Sequence, residues 1–391
     1  MSDRVRIARG LCIFFMTFVH VPPGIAESTP DRGVGLFDIV HFILSRMTGL
    51  TAVSLLSIIS GYFIVSSLAK AGPMALLKSK LKTLVVPLLA WNLLMLALLA
   101  TYALLRGRWH EMPALTAPDI ADALLALKGW PLDVPLWFLR DLFVCCLFSP
   151  VLQGALKRFP APTIMLLVVY ALFGEGLYVL QRPQLLLFFG LGIWLRISGT
   201  GEAASDCMAR PLSIGLVVMA AVFLILRTHP GLIGEPTDTL PVTLDTLLRI
   251  TMAAGFWLVT DLIRRSRFAT AFLGFEPYAF FLFCSHAIVF HFAGVIFRRF
   301  FGNDGSDLFP ITFFTLPFLA VIAAVIGLQI INRSPALLFL FNAGHRVETL
   351  TAPISGHRDK DDAETTGDTH KGSRACGPEK TGRKREPAEI G

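Results

Sequence analysis

The sequence predicts an all-α, polytopic membrane protein of about ten spanning helices with both termini in the cytoplasm. Three observations carry that prediction. Of 391 residues, 54% are hydrophobic and only 16% charged, with a mean hydropathy of +0.64, whereas a soluble domain carries about 25% charged residues. Apolar stretches of membrane-spanning length recur from end to end. Basic residues are concentrated in alternate short connections. This composition excludes a soluble enzyme, a disordered chain and a disulfide-stapled secreted module.

Taken in order, the apolar segments are 7–22, 47–69, 83–105, 136–152, 161–180, 184–198, 211–227, 243–263, 278–298 and 311–332. A helix needs about 20 apolar residues to cross the hydrocarbon core. The first and sixth segments are short for this, so extension at their ends or local bilayer thinning is expected. One set of connections holds Arg4, Arg6, Arg9, Lys70, Lys78, Lys80, Lys82, Lys157, Arg158, Arg196, Arg210, Arg264, Arg265 and Arg267. The opposite set holds Arg32, Arg46, Arg106, Arg108, Lys128, Arg182, Arg227, Arg298 and Arg299, interleaved with Glu27, Asp31, Glu111, Asp119 and Asp122. The more basic set belongs inside, in a bacterial cell the cytoplasmic face of the inner (plasma) membrane.

Residues 1–335 therefore form the membrane body, and the polar 352–391 segment reads as a disordered cytoplasmic tail. The first segment, with Arg4, Arg6 and Arg9 before Leu11–Val21, imitates a secretory signal peptide. His20 and the Pro22-Pro23 pair argue for its retention. The net charge of +7 does not indicate nucleic acid, because the basic residues are dispersed over the connections. Among the cysteines, Cys12, Cys145, Cys146 and Cys284 lie in apolar segments, and neither Cys207 nor Cys376 has a C-x-x-C neighbour.

With charge so scarce, an ionisable group inside a span is a functional-site candidate. Arg9 and His20 are eleven residues apart. In a continuous α-helix that places them within about 20° of one face and about 16 Å apart along the axis. Arg9 sits at the cytoplasmic mouth, and His20 lies toward the other side. Such a pair suits a donor that bridges the bilayer, with the phosphates of a coenzyme A thioester at Arg9 and an acyl end near His20 acting as base. A positive-inside anchor and an interfacial histidine explain the same residues. His286 lies inside the ninth segment, where it either lines a cavity or bonds a neighbouring helix. Arg140 and Asp141 near the outer end of the fourth segment either bind an acceptor or pair with other buried charges. Trp137, with Trp130 and Phe138, is either an interfacial aromatic or a sugar-stacking surface. Asp38 with His41, and Glu175, are weaker candidates. The sequence contains no metal cluster, phosphate-binding glycine loop or G-x-S-x-G elbow.

Several of these residues fall into a familiar series. Arg9-x10-His20 resembles the first-helix signature of the acyltransferase-3 superfamily of integral membrane proteins. Ser60-Gly61-Tyr62-Phe63, the basic 78–82 stretch before Pro87, Pro135-Leu136-Trp137-Phe138-Leu139 and Phe283-Cys284-Ser285-His286 resemble further pieces in the family's order. The resemblance covers residues 5 to about 335. It implies transfer of an acyl group from cytoplasmic acyl-CoA (acetyl-CoA or succinyl-CoA, a co-substrate rather than a bound cofactor) to a sugar hydroxyl. It also implies an essential His20 and donor handling by Arg9. Lys78, Lys80 and Lys82 stand where the family often has arginines, and lysine lacks the bidentate fork for phosphate. The HVPPG segment and the overall length resemble members that decorate exopolysaccharides, such as the succinoglycan O-succinyltransferase type. The implied partners are the bilayer, a polysaccharide or lipid-linked oligosaccharide acceptor, and polysaccharide assembly machinery. Two other classes compete: a transporter of a polar solute or glycan precursor, against which the lack of an inverted repeat counts, and a non-catalytic partner of an assembly complex.

Overall fold

The computed structural model describes residues 2–22, 35–107, 109, 112–174, 177–228 and 239–347. The tail at 352–391, Arg32, Arg108, Glu111 and Glu175 lie outside them. The described residues form α-helices with no strand among them. In chain order these are α1 (Asp3–Thr17), α2 (Leu36–His41), α3 (Leu50–Lys80), α4 (Val86–Arg106), α5 (Ala117–Leu125), α6 (Trp137–Arg158), α7 (Pro160–Phe173), α8 (Gln184–Ile197), α9 (Glu202–Thr228), α10 (Thr239–Arg264), α11 (Ala269–Phe301), α12 (Phe309–Ile331) and α13 (Pro335–Asn342).

Each of the ten apolar segments has a helix as its main part. By length and composition, five helical stretches among the described residues are able to cross a membrane: Leu36–Arg106, Val134–Arg158, Thr243–Arg264, Ala269–Phe301 and Phe309–Ile331. Aliphatic side chains such as Leu105, Met165 and Leu262 stand on the outer surface. That surface suits a multi-pass membrane protein, because lipid tails rather than water cover it. Some boundaries differ from the apolar pattern. α7 stops at Phe173, short of 180, with Gly174 following its last turn. α9 and α11 begin at Glu202 and Ala269, well before the apolar segments 211–227 and 278–298.

α1 lies in the interior of the bundle, packed against α3, α10 and α11, with Ile7, Ala8 and Cys12 fully buried. Its N-terminal anchor is Arg4, only 1% exposed. The Arg4 guanidinium donates to both Asp206 carboxylate oxygens at 3.1 and 2.6 Å, to Thr260 Oγ1 at 3.2 Å and to the Trp257 carbonyl at 2.8 Å. It also lies 3.9 Å from the Trp257 ring centre. A buried cation is tolerated because its donors are met so fully.

The Ser60-Gly61-Tyr62-Phe63 stretch has a packing explanation. A Cβ at Gly61 would fall on the Phe189 carbonyl oxygen, and one at Gly192 on the Ile58 carbonyl oxygen. α3 and α8 thus approach backbone to backbone through two reciprocal glycines, the close crossing that small residues permit between helices in lipid. Further along α3, Gly72 takes a left-handed φ of 75° before Pro73 and breaks the helix into two limbs. Proline cannot continue the hydrogen-bond ladder, so Lys78 and Lys80 lie on the second limb and Lys82 on a π-helical turn, Leu81–Val85.

Candidate active site

α1 and α11 run side by side in the same direction, since contacts advance together along both: Gly10 with Phe275, His20 with His286, and Pro22 with Gly294. Two rungs cross this pair. At the first, Arg9 Nη1 lies 3.1 Å from Glu276 Oε1 and Arg6 Nε lies 3.4 Å from Glu276 Oε2. Pro277 has no N–H, so the Leu273 carbonyl one turn back has no helical donor. Arg6 Nη2 donates to it at 3.3 Å. α11 therefore tolerates an internal proline at the point where α1 presents its arginines.

At the second rung, the His20 and His286 ring centres are 5.2 Å apart. His286 is fully buried, between Phe283 and Phe290 on its own helix. Its Nδ1 lies 3.1 Å from the Leu282 carbonyl and 2.9 Å from the Phe283 carbonyl. Both are acceptors, so Nδ1 carries the hydrogen and Nε2 holds the lone pair. Nε2 meets no protein partner. His20 ends a 3-10 turn, Phe18–His20, so the spacing from Arg9 differs from a continuous α-helix. The tighter turn lengthens the axial separation to about 18 Å and shifts His20 round by about 60°. Both residues nevertheless meet α11.

Two further elements flank the turn that carries His20. A π-helical segment, Phe42–Gly49, packs on the 3-10 turn. Gly49 is required there, because a Cβ would collide with Val19 Cγ2 and lie 3.1 Å from the Phe15 and Leu44 carbonyls. Phe313 of α12 stacks 5.4 Å from Phe18 and 4.7 Å from the His41 ring. Asp38 faces away from this group, its carboxylate accepting from the Gly35 N–H at 3.1 Å.

The other sequence candidates occupy two further places. Trp137 begins α6 and meets Trp130 edge-on at 6.1 Å, with the Arg182 guanidinium 5.4 Å above Trp130. Next to it, Phe138 packs on Phe283 at 5.9 Å, which links the α6 start to the His286 helix. Arg140 donates to Asp141 at 2.8 Å and to the Val179 carbonyl at 2.6 Å, while the Arg182 N–H donates to the fully buried Asp141 at 3.0 Å. This pair clamps the segment around 179–182 onto α6. Lys78 and Lys82 are exposed and Lys80 half-buried. None of the three is ion-paired among the described residues, so their ammonium groups are available to an anion.

Three groups escaped the sequence reading. Glu276 sits just outside the segment 278–298, and Pro277 disguised it as a helix boundary. Asp133 has no periodicity around it, yet is fully buried. Ser285 has a buried hydroxyl without a protein partner, which nothing in the sequence signals.

The family model described as an acyltransferase domain, of the acyltransferase-3 type, matches residues 3–333. Among curated proteins, the succinoglycan biosynthesis protein ExoH of Rhizobium meliloti (strain 1021) is 29% identical over 348 residues, covering 86% of this chain and 91% of that protein. No solved structure matches the chain.

Proposed function

Because the chain belongs to the acyltransferase-3 family and is a membrane acyltransferase, we propose that it moves a short acyl group, acetyl or succinyl, from cytoplasmic acyl-CoA to a sugar hydroxyl of an exopolysaccharide or its lipid-linked precursor. The relative's role in succinoglycan biosynthesis supports that acceptor class. The chain crosses the inner membrane about ten times, with both termini inside. The single observation that carries the mechanism is the His20–His286 rung, with the second ring oriented by its own helix's carbonyls.

The donor's phosphates bind at Arg9, whose side chain is 38% exposed and keeps donors beyond those facing Glu276. Lys78, Lys80 and Lys82 add point charges on the same side. The acyl end reaches His20, about 18 Å along α1. The His286 ring packs against that of His20 and holds it in place, so a His20 nitrogen faces the acceptor. That nitrogen takes the hydroxyl proton as the oxygen attacks the thioester carbonyl. The C–O bond forms, the C–S bond breaks, and the proton passes to the departing thiolate. Trp137 offers an apolar face to the sugar, and Arg140 with Asp141 holds the neighbouring segment in place.

Mass spectrometry of surface polysaccharide from a deletion strain tests this. Loss of an acyl mass increment is expected, restored by the native chain. Well-folded His20→Ala or His286→Phe chains should restore transfer about 10²–10⁴-fold less efficiently. Near-native acylation by His20→Ala defeats the base role.

A further inference from the structure

The connection between α5 and α6 is irregular in backbone, and part of it is buried. Ala126, Asp133 and Leu136 are fully inaccessible, and the short 3-10 turn Val134–Leu136 packs against α11. The turn that follows Asp133 rests on α11, and Phe138 just beyond it meets Phe283, the neighbour of Cys284. Cys284 falls near the middle of α11, a helix of 33 residues, so this strand of backbone descends to mid-depth. Non-helical backbone at such depth persists where it is buried in protein or lines a polar cavity.

Its main-chain groups are met by protein. The Asp133 N–H donates to Asn92 Oδ1 at 2.9 Å, Lys128 and Gly129 N–H groups donate to Asp122, and the Leu132 N–H donates to the Ala123 carbonyl at 3.0 Å. The side chain is the exception. Both Asp133 carboxyl oxygens are buried without a protein partner, as is Ser285 Oγ beside Cys284. A fold that satisfies these backbone groups and leaves a buried carboxyl unmet has reserved that carboxyl for something else. Cys284 and His286 are two residues apart, about 3 Å along the helix axis. Asp133 therefore lies at a similar height along α11 to the His20–His286 rung, and Phe138 at the start of α6 meets Phe283, whose ring in turn meets His286.

We propose that Asp133 is a specificity-determining residue that receives a hydroxyl of the acceptor sugar, with the aromatic start of α6 as the apolar wall. A carboxyl and aromatic side chains together suit a polyhydroxylated ring, whose edges donate hydrogen bonds and whose faces are apolar. This rests on the reading that the chain acylates a sugar. Asp133 selects and orients the ring, while His20 handles the reacting hydroxyl.

Two measurements test it. In detergent, the full chain with Asp133→Cys is treated with a small, charged methanethiosulfonate; the parent's Cys12, Cys145, Cys146 and Cys284 thiols are buried. Labelling above the parent is expected at position 133 and not for Leu136→Cys, and de-acylated exopolysaccharide fragments should slow it. A position 133 as inert as 136 overturns the proposal, whether or not the chain transfers acyl groups. In vesicles with labelled acyl-CoA and the same fragments, Asp133→Asn and Asp133→Ala should raise the acceptor KM between about 10-fold and 100-fold, with donor KM unchanged. A folded variant with native acceptor KM, or with equal rises for donor and acceptor, also overturns it. If the native chain makes no acylated product, the proposed function fails, and the labelling result alone decides whether position 133 lines a polar site.

Discussion

Replacing Asn92 with leucine removes the pin that holds the α5–α6 connection against α4. Asn92 is fully buried, and its amide makes three bonds: Nδ2 to the Leu88 carbonyl at 2.9 Å, Nδ2 to the Leu124 carbonyl at 3.1 Å, and Oδ1 from the Asp133 N–H at 2.9 Å. Leucine is close to asparagine in shape, so little cavity or overlap arises. The Leu88 carbonyl keeps its helical donor, the Asn92 N–H. The Leu124 carbonyl, at the end of α5, and the Asp133 N–H lose their side-chain partner in a buried site. Each orphaned group costs about 1–3 kcal/mol, and the gain from burying a more apolar side chain offsets part of this. A net loss of about 2–4 kcal/mol is expected, a fall on the order of 5 °C in the midpoint of thermal unfolding. Intrinsic tryptophan fluorescence of detergent-solubilised protein reads it, helped by Trp130 and Trp137 on the affected connection. A midpoint within a degree of the native chain would refute the account of how Asp133 is placed.

Three further perturbations have definite expectations. Gly61→Ala pushes a methyl group into the Phe189 carbonyl and should destabilise by about 1–3 kcal/mol, or by more if the helices cannot part, whereas Ser60→Ala, which loses only a bond to Leu56 of its own helix, should stay within about 0.5 kcal/mol on the same thermal scan. Arg4→Met strands the Asp206 carboxylate; that side chain is 25% exposed, so the loss should fall below the 3–5 kcal/mol typical of a fully buried partner, at about 2–3 kcal/mol in chemical unfolding. Glu276→Gln should cost about 1 kcal/mol or less in stability, because Arg6 and Arg9 are each more than a third exposed; a double-mutant cycle with Arg9→Met should give a coupling of similar size, and a coupling above about 3 kcal/mol would contradict that screening.

What the sequence revealed and what it hid separate along physical lines. Arg9 lies on α1 and His20 on the 3-10 turn that directly follows it, so local sequence was enough to single them out together. Their partners, Glu276 and His286, are more than 260 residues away, and nothing local states that α1 and α11 run in parallel register. Pro277 reads as a helix stop by local rules, yet α11 continues through it because Arg6, from a distant helix, meets the freed carbonyl. Arg140 and Asp141 left two readings open, and the structure pairs them with each other and with the 179–182 backbone. Asp133 stayed hidden for a different reason. Irregular sequence broken by Gly129, Pro131 and Pro135 between two helices resembles an ordinary surface connection, and only tertiary packing takes Asp133 inside.

The reciprocal crossing of α3 and α8 has a consequence for how this sequence can change over generations. At Gly61 and Gly192 the obstacle to a side chain is main-chain oxygen of the other helix, present whatever residue is encoded there. No second-site substitution removes it, so selection for suppressors of Gly61→Ala should return mainly true revertants. Gly190, two residues from Gly192, meets Leu167 Cδ1 instead, 2.5 Å from where its Cβ would stand. There a shorter residue at 167 opens the space, and a drifting lineage can exchange the two positions together. One helix thus carries a site with an available mutational path close to a site with none.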